Sequence, residues 1–225
     1  MKGAGVRGAS GCVVIAVAGQ SVRLEPARVA YWEDARSVIV ADLHLGKCEA
    51  LGAMGVPMPA GMLEKQLATL GAVITGSKAA RVIVVGDLLH APAGLTEKMI
   101  ECVGTWRDSV DAEIVVVPGN HDRKLEDVAA RWRMTVTGPR WEEGPFAFEH
   151  VPPAGSNAGK FLWCGHLHPA VYLRAGGDSL KLACFHVGPS RAVLPAFSTF
   201  TAGGQLPLRA GDRRFAVAEG EVVEV

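Results

Sequence analysis

What this chain has little of narrows the field first. It has no excess charge: 23 basic residues stand against 23 acidic ones, so no global basic field announces a nucleic acid. It has no disulfide framework. Its five cysteines, at positions 12, 48, 102, 164 and 184, are odd in number and show no short paired spacing, so they read as reduced core thiols of a cytoplasmic protein. No apolar run is long enough to span a bilayer, which argues against a membrane partner, and no repeat or low-complexity tract appears. One stretch near the start imitates a targeting signal, because Lys2 and Arg7 flank Ala9-Ser-Gly-Cys12 and the apolar run 12–18. That run is short, and the lipoprotein-like box precedes it instead of following it, so a first β-strand is expected there.

What is present is apolar material, 49% of 225 residues, enough for one domain over 1–225 with an ample core. Short strands are expected at Cys12–Ala18, Ser21–Leu24 and Val29–Trp32, with buried strands at Ser37–Ala41, Arg81–Val85 and Glu113–Val117. Leu63, Leu67, Leu70 and Ile74 recur at helical spacing over Met62–Ile74. Leu95, Met99, Val103 and Trp106 do so after Gly94, and a short helix is expected over Leu125–Arg133. The second half is richer in strands, at Phe146–His150, Lys160–Cys164, Val171–Leu173, Leu180–His186, Phe215–Val217 and Val222–Val225. A loop is expected at Pro152–Gly159. Strand–helix alternation followed by strands predicts an α/β fold, a layered sandwich with two central mixed sheets flanked by helices.

The chain is organised around Ile114-Val-Val-Val-Pro-Gly-Asn-His-Asp122, a β-branched strand stopped by Pro118-Gly119 and followed by three polar residues. Polar groups at the end of a core strand need partners. The pattern recurs in Val38-Ile-Val-Ala-Asp42-Leu-His44, Val82-Ile-Val-Val-Gly-Asp87-Leu-Leu-His90 and Phe161-Leu-Trp-Cys-Gly-His166-Leu-His168. One Asp-x-His after a strand is an ordinary turn; four such ends in series are not. Six of the seven histidines (44, 90, 121, 150, 166 and 168) lie in or beside these ends, together with Asp42, Asp87 and Asn120. Carboxylate, imidazole and amide donors suit Mn, Fe or Zn, with Mg less well matched. They are too many for one ion, and two divalent ions about 3.5–4 Å apart would use them.

The ordered set Asp42-x-His44, Gly86-Asp87-x-x-His90, Gly119-Asn120-His121-Asp122, His150 and Gly165-His166-x-His168 resembles the calcineurin-like metallophosphoesterase superfamily. That resemblance implies one metal on Asp42, His44 and His168, a second on Asn120, His150 and His166, and Asp87 bridging them. It makes His121 the general acid, Asp122 its orienting group, and a bridging hydroxide the nucleophile. The flanks Ala41-Asp-Leu-His-Leu-Gly-Lys47, Gly119-Asn-His-Asp-Arg123, Gly165-His-Leu-His-Pro169 and Leu194-Pro-Ala-Phe-Ser-Thr-Phe-Thr201 look like the bacterial ligase-associated DNA-damage-response endonucleases. That narrower likeness implies manganese, nicking of DNA in repair, and a functional partnership with a DNA ligase and a helicase; a homodimer stays open. The pair His90-Ala91 stands where protein Ser/Thr phosphatases carry Asp-Arg, which argues against that branch and leaves His90 a candidate for substrate binding.

Lys47, Arg123 and Lys124 adjoin the motifs and could position a phosphate backbone; each could equally be a solvated charge. Trp132, Trp141 and Trp163 could stack bases, although burial is the commoner use of aromatics. Cys164, Cys184 and His186 read as structural. Two other classes compete: an esterase of small or cyclic nucleotides with the same centre, and a non-catalytic metal-stabilised scaffold.

Overall fold

The computed structural model describes residues 6–7, 11–154, 159–175 and 178–225. The segment before the first long strand, the middle of the stretch 152–159, expected as a loop, and residues 176–177 therefore lie partly or wholly outside the described residues. The first sheet contains β1 (Val6–Arg7), β2 (Val13–Val17), β3 (Gln20–Glu25), β4 (Val29–Trp32), β5 (Ser37–Val40), β6 (Arg81–Val85), β7 (Glu113–Val117) and β8 (Thr135–Val136), side by side in that order. Strands β1 to β5 form an antiparallel meander, and β5 to β8 run parallel. Between them lie α1 (Lys47–Ala53), α2 (Met62–Ser77), α3 (Glu97–Asp108) and α4 (Leu125–Ala129).

The second sheet is built from β9 (Arg140–Glu143), β10 (Phe146–Glu149), β11 (Phe161–Cys164), β12 (Ala170–Ala175), β13 (Asp178–Val187), β14 (Arg191–Val193), β15 (Arg213–Ala218) and β16 (Glu221–Glu224). Its order is β16-β15-β13-β14-β11-β10-β9, with β12 paired to β13. It too is mixed, since β10, β11 and β14 are parallel neighbours and the rest pair antiparallel.

Strict alternation along the parallel strands builds both apolar layers. Val38, Val40, Val82, Val84, Ile114 and Val116 face Leu67, Leu70, Met99, Val103 and Trp132 of the helical layer. Ile39, Ala41, Ile83, Val85 and Val117 face the other way, onto Phe146, Phe148, Trp163 and Phe185 of the second sheet. A strand buried on both faces needs a continuous apolar run, which is why these three were plain in the sequence. The outer face of the second sheet carries smaller clusters, Ala147, Leu162, Cys164 and Val193 under Leu206, and Val171, Cys184 and Ala216.

Three departures from expectation have local causes. The third helix ends at Ala129 because the chain turns there, with Arg133 in the left-handed region at φ 48°. Helix α1 went unforeseen because only Ala50 of it is buried, leaving no apolar stripe to read. Strand β9, Arg-Trp-Glu-Glu, is a charged edge strand held by pairing to β10.

Candidate metal centre

Parallel pairing brings the carboxyl ends of β5, β6 and β7 to one edge of the first sheet, and the ends of β10 and β11 meet them from the second. Ligand sites in α/β folds gather at such ends. Backbone bonds weld the loops there: the Asp42 amide donates to the Gly86 carbonyl at 3.1 Å, that of His44 to Asp87 at 2.9 Å, and that of Gly165 to His150 at 3.0 Å. Asp42, His44, Asp87, His166 and His168 all adopt left-handed φ, between 45° and 68°. Asp and His tolerate that region better than most residues. Such strain costs on the order of 1–3 kcal/mol each and persists only where the surroundings impose it.

The strand ends assemble two trios. Ligand atoms of Asp42, His44 and His168 lie within 4.8 Å of one another, and so do those of Asp87, His150 and His166. In the first trio, His44 Nε2 and His168 Nε2 face each other at 3.5 Å, with Asp42 Oδ1 3.3 Å from His168 Nε2. In the second, His150 Nε2 sits 3.2 Å from Asp87 Oδ2 and 3.1 Å from Asn120 Oδ1, which adds the amide oxygen to that group. The crowding leaves no room for a side chain at two glycines. A Cβ on Gly86 would lie 2.1 Å from His150 Nδ1, and one on Gly119 would lie 2.3 Å from Asp87 Oδ1.

The electrostatics fit a pair of cations. Asp42 and Asp87 are buried, and among the described residues no Lys or Arg comes within ion-pair distance of either. Buried carboxylates without a counter-charge are costly. Burial pushes His44 down to about 3, against the pull of the Asp87 carboxylate, which keeps it in the neutral form a metal requires. Its Nδ1 is buried without a hydrogen-bond partner. Burial is the largest influence on His150 and would lower it, but the hydrogen bond and charge of Asp87, the charge of Asp42 and the Val85 carbonyl together carry the imidazole upward. On Asp87 burial is again the largest single influence, pushing upward, and His150 together with the His121 amide and ring holds the carboxyl below the usual range.

His121 is the exposed member of the cluster, its side chain 41% accessible. Its amide donates to Asp87 Oδ1 at 2.9 Å, its Nδ1 lies 2.7 Å from the His90 carbonyl, and its Nε2 is 4.0 Å from Asp87 Oδ2. The expected orienting contact from Asp122 is not the one found. The Asp122 carboxylate turns inward and accepts from the amides of Leu89 and Gly119 at 2.8 Å and of Leu88 at 3.4 Å. It fastens the β6 and β7 loops together, and the His90 carbonyl orients His121 instead. Nothing in the sequence signals a carbonyl in that role. The His90 ring stacks beside His121, centroids 5.6 Å apart.

The candidate phosphate contacts separate. Lys47 is half-buried at the start of α1, and its ammonium donates to the Phe200 carbonyl. Arg123 is exposed, and Lys124 is exposed and paired with Asp127 at 3.3 Å. Trp132 and Trp163 are fully buried, and Trp141 stacks on Phe148. His186 pairs with Asp212 at 2.9 Å, away from the centre. Two contacts of the site were not foreseen in the sequence: Arg28 reaches the carbonyls of Ala196 and Ser198, and the Ala202 carbonyl, just past the 194–201 motif, lies 2.8 Å from His168 Nδ1.

The family profile described as calcineurin-like phosphoesterase matches residues 35–198, the span that holds every member of both trios. The crystal structure of Pseudomonas putida nuclease MPE superposes with a TM-score of 0.82 at 29% identity, covering 95% of this chain and 100% of that one. A phosphoesterase from E. coli, Yfce, gives 0.46 at 16% identity over 84% and 97% of the two chains. No curated protein sequence matches. Carrying that profile over most of its length, the chain belongs to the calcineurin-like phosphoesterase family and is a metal-dependent phosphoesterase.

Proposed function

We propose that this phosphoesterase cleaves phosphodiester bonds in DNA, as a manganese-dependent endonuclease of DNA repair working alongside a ligase and a helicase. The convergence of two trios around the buried Asp87, with the exposed His121 beside them, carries the phosphodiester chemistry. The P. putida neighbour is a nuclease and is similar over nearly the whole of both chains, which supports a nucleic acid, here DNA, as substrate.

In this reading Asp42, His44 and His168 would hold one divalent ion, Asn120, His150 and His166 would hold the other, and Asp87 would be shared between them. When bound, such a pair polarises phosphoryl oxygens and brings the pKa of water toward neutrality. The remaining work belongs to the chain. His121 donates its Nδ1 hydrogen to the His90 carbonyl, which leaves Nε2 facing the cluster as the proton-exchanging atom. A proton delivered from Nε2 meets the leaving alkoxide, whose expulsion is otherwise slow. Asp122 keeps the His121 loop in register by anchoring three amides. His90, Lys47 and Arg123 are the side chains placed to meet the substrate around this centre.

One assay tests the reading: manganese-loaded protein offered bis-p-nitrophenyl phosphate, cyclic nucleotide and supercoiled plasmid. Nicking of plasmid is the expected result. Hydrolysis of the small esters with plasmid and single strands left intact would replace it with the small-nucleotide alternative.

A further inference from the structure

Beside His44 lies a pocket of about 230 Å³, lined by Lys47 and by residues that take no part in the metal trios. It lies below the ~300–1,000 Å³ of pockets that take drug-sized ligands, so it suits one ring system. Its walls combine three features. Met62, Leu63, Phe197 and Phe200 make it apolar, and Phe200 is 44% exposed. Gln66, Thr69 and Ser198 offer amide and hydroxyl groups. Arg28, Lys47 and Lys65 bring three positive charges against the single carboxylate of Glu49.

That local excess stands out in a chain whose charges cancel. Arg28 and Lys47 are drawn into the wall by backbone carbonyls of the 196–200 segment instead of by carboxylates, so their charge is not neutralised there. An apolar slot for a flat ring, rimmed by cations and touching the metal centre, matches a nucleotide, whose base is stacked and whose phosphates are anionic. A rigid duplex keeps its bases inside the helix, whereas a single strand can present one.

We propose that this pocket seats the nucleobase next to the scissile phosphate of a single DNA strand, with Phe200 against the base and Arg28 and Lys47 on the flanking phosphate. The proposal rests on the endonuclease reading and sharpens its substrate to a strand with an unstacked base at the cut.

The test measures anisotropy of manganese-loaded protein with a dye-labelled octathymidylate made nuclease-resistant by phosphorothioate linkages. In parallel it follows cleavage of the ordinary oligomer and of bis-p-nitrophenyl phosphate, which has no base. Phe200→Ala should weaken binding by about 5- to 100-fold, the usual loss for one stacked base, and Phe200→Trp should restore it. Thr69→Trp, which fills the slot from α2, should depress oligomer binding and cleavage while the small ester is still hydrolysed. Oligomer binding and cleavage equal to wild type in Phe200→Ala and Thr69→Trp would overturn the pocket and leave the endonuclease reading standing. A wild type that hydrolyses the small ester yet neither binds nor cuts strands would overturn both.

Discussion

Two of the histidine–aspartate pairs in this molecule are built differently. His150 and Asp87 meet at 3.2 Å where the two sheets abut; His186 and Asp212 meet at 2.9 Å near the end of β13. The second pair is the shorter, and it is isolated. His186 sits in regular β13, and Asp212 also accepts the Arg209 amide, so the pair closes a turn. Around the first pair, Asn120, His121 and His166 converge, Asp87 has left-handed φ, and glycines give way to the side chains. A buried imidazole–carboxylate contact is thus weak evidence of function by itself. Excess ligands and imposed strain distinguish the working pair.

The sharpest way to break this comparison is to remove the aspartate from each pair. Asp87→Ala should abolish turnover and weaken metal retention at both trios, read by elemental analysis against about two manganese ions in the wild type. Asp212→Ala should leave turnover and metal content intact and lower unfolding stability by about 1–3 kcal/mol, the cost of orphaning a buried partner. Full activity of Asp87→Ala with one tightly held ion would end the bridging role of that carboxylate.

Next in size is His121, which touches Asp87 without completing either trio. His121→Ala should keep both metals and slow turnover of unactivated diesters by roughly 10²–10⁴, the span of a positioned proton donor. Nitrophenyl esters, whose leaving group needs no proton, should lose far less. Equal losses on both substrates would assign His121 to charge stabilisation instead.

A smaller effect is expected at the exposed cations. Arg123→Ala with Lys124→Ala should reduce plasmid nicking severalfold while bis-p-nitrophenyl phosphate hydrolysis changes little. It should flatten the salt dependence of DNA binding by about 0.7–0.9 per phosphate contact removed. Lys124 already pairs with Asp127, so most of the change should come from Arg123. An unchanged salt slope would return both residues to the solvated surface.

The same contrast explains what the sequence could and could not reveal. Strands β5, β6 and β7 were legible because burial on both faces demands uninterrupted apolar runs, and their polar ends stood out against them. The sequence showed the ligand-type residues at the strand ends, while their grouping into Asp42, His44 and His168 on one side and His150 with His166 on the other came only from the family resemblance. Asp122 acts on His121 through the loop and not by direct contact, because consecutive residues in a tight turn point apart: His121 meets the His90 carbonyl, Asp122 the loop amides. The Arg28 and Phe200 pocket was hidden for a related reason. Its parts come from a turn of the meander and from a segment without regular structure, joined only when Arg28 reaches the Ala196 and Ser198 carbonyls.

The last and smallest effect on turnover is none at all, at Cys164 and Cys184. Cys164 lies two residues before His166 and Cys184 two before His186, so proximity to a histidine could suggest a thiolate ligand. Burial argues otherwise, pushing the Cys164 thiol up to about 12 and Cys184 up to about 11. A thiol so protonated is neither a ligand nor a nucleophile at neutral pH. Iodoacetamide at pH 8 should therefore modify neither residue in the folded protein and both after unfolding. The raised values also carry a stability signature. Below the ordinary thiol pKa of about 8.5 both states keep the proton, and the contribution is fully present. As pH climbs toward the folded values the unfolded chain ionises first, and stability falls by about 1.4 kcal/mol per pH unit per thiol. Unfolding free energy between pH 9 and 11 should thus drop less steeply in a Cys164→Ala, Cys184→Ala double variant than in the wild type. Parallel curves would mean that these thiols ionise as freely in the fold as outside it, and that the second sheet admits water where it is described as closed.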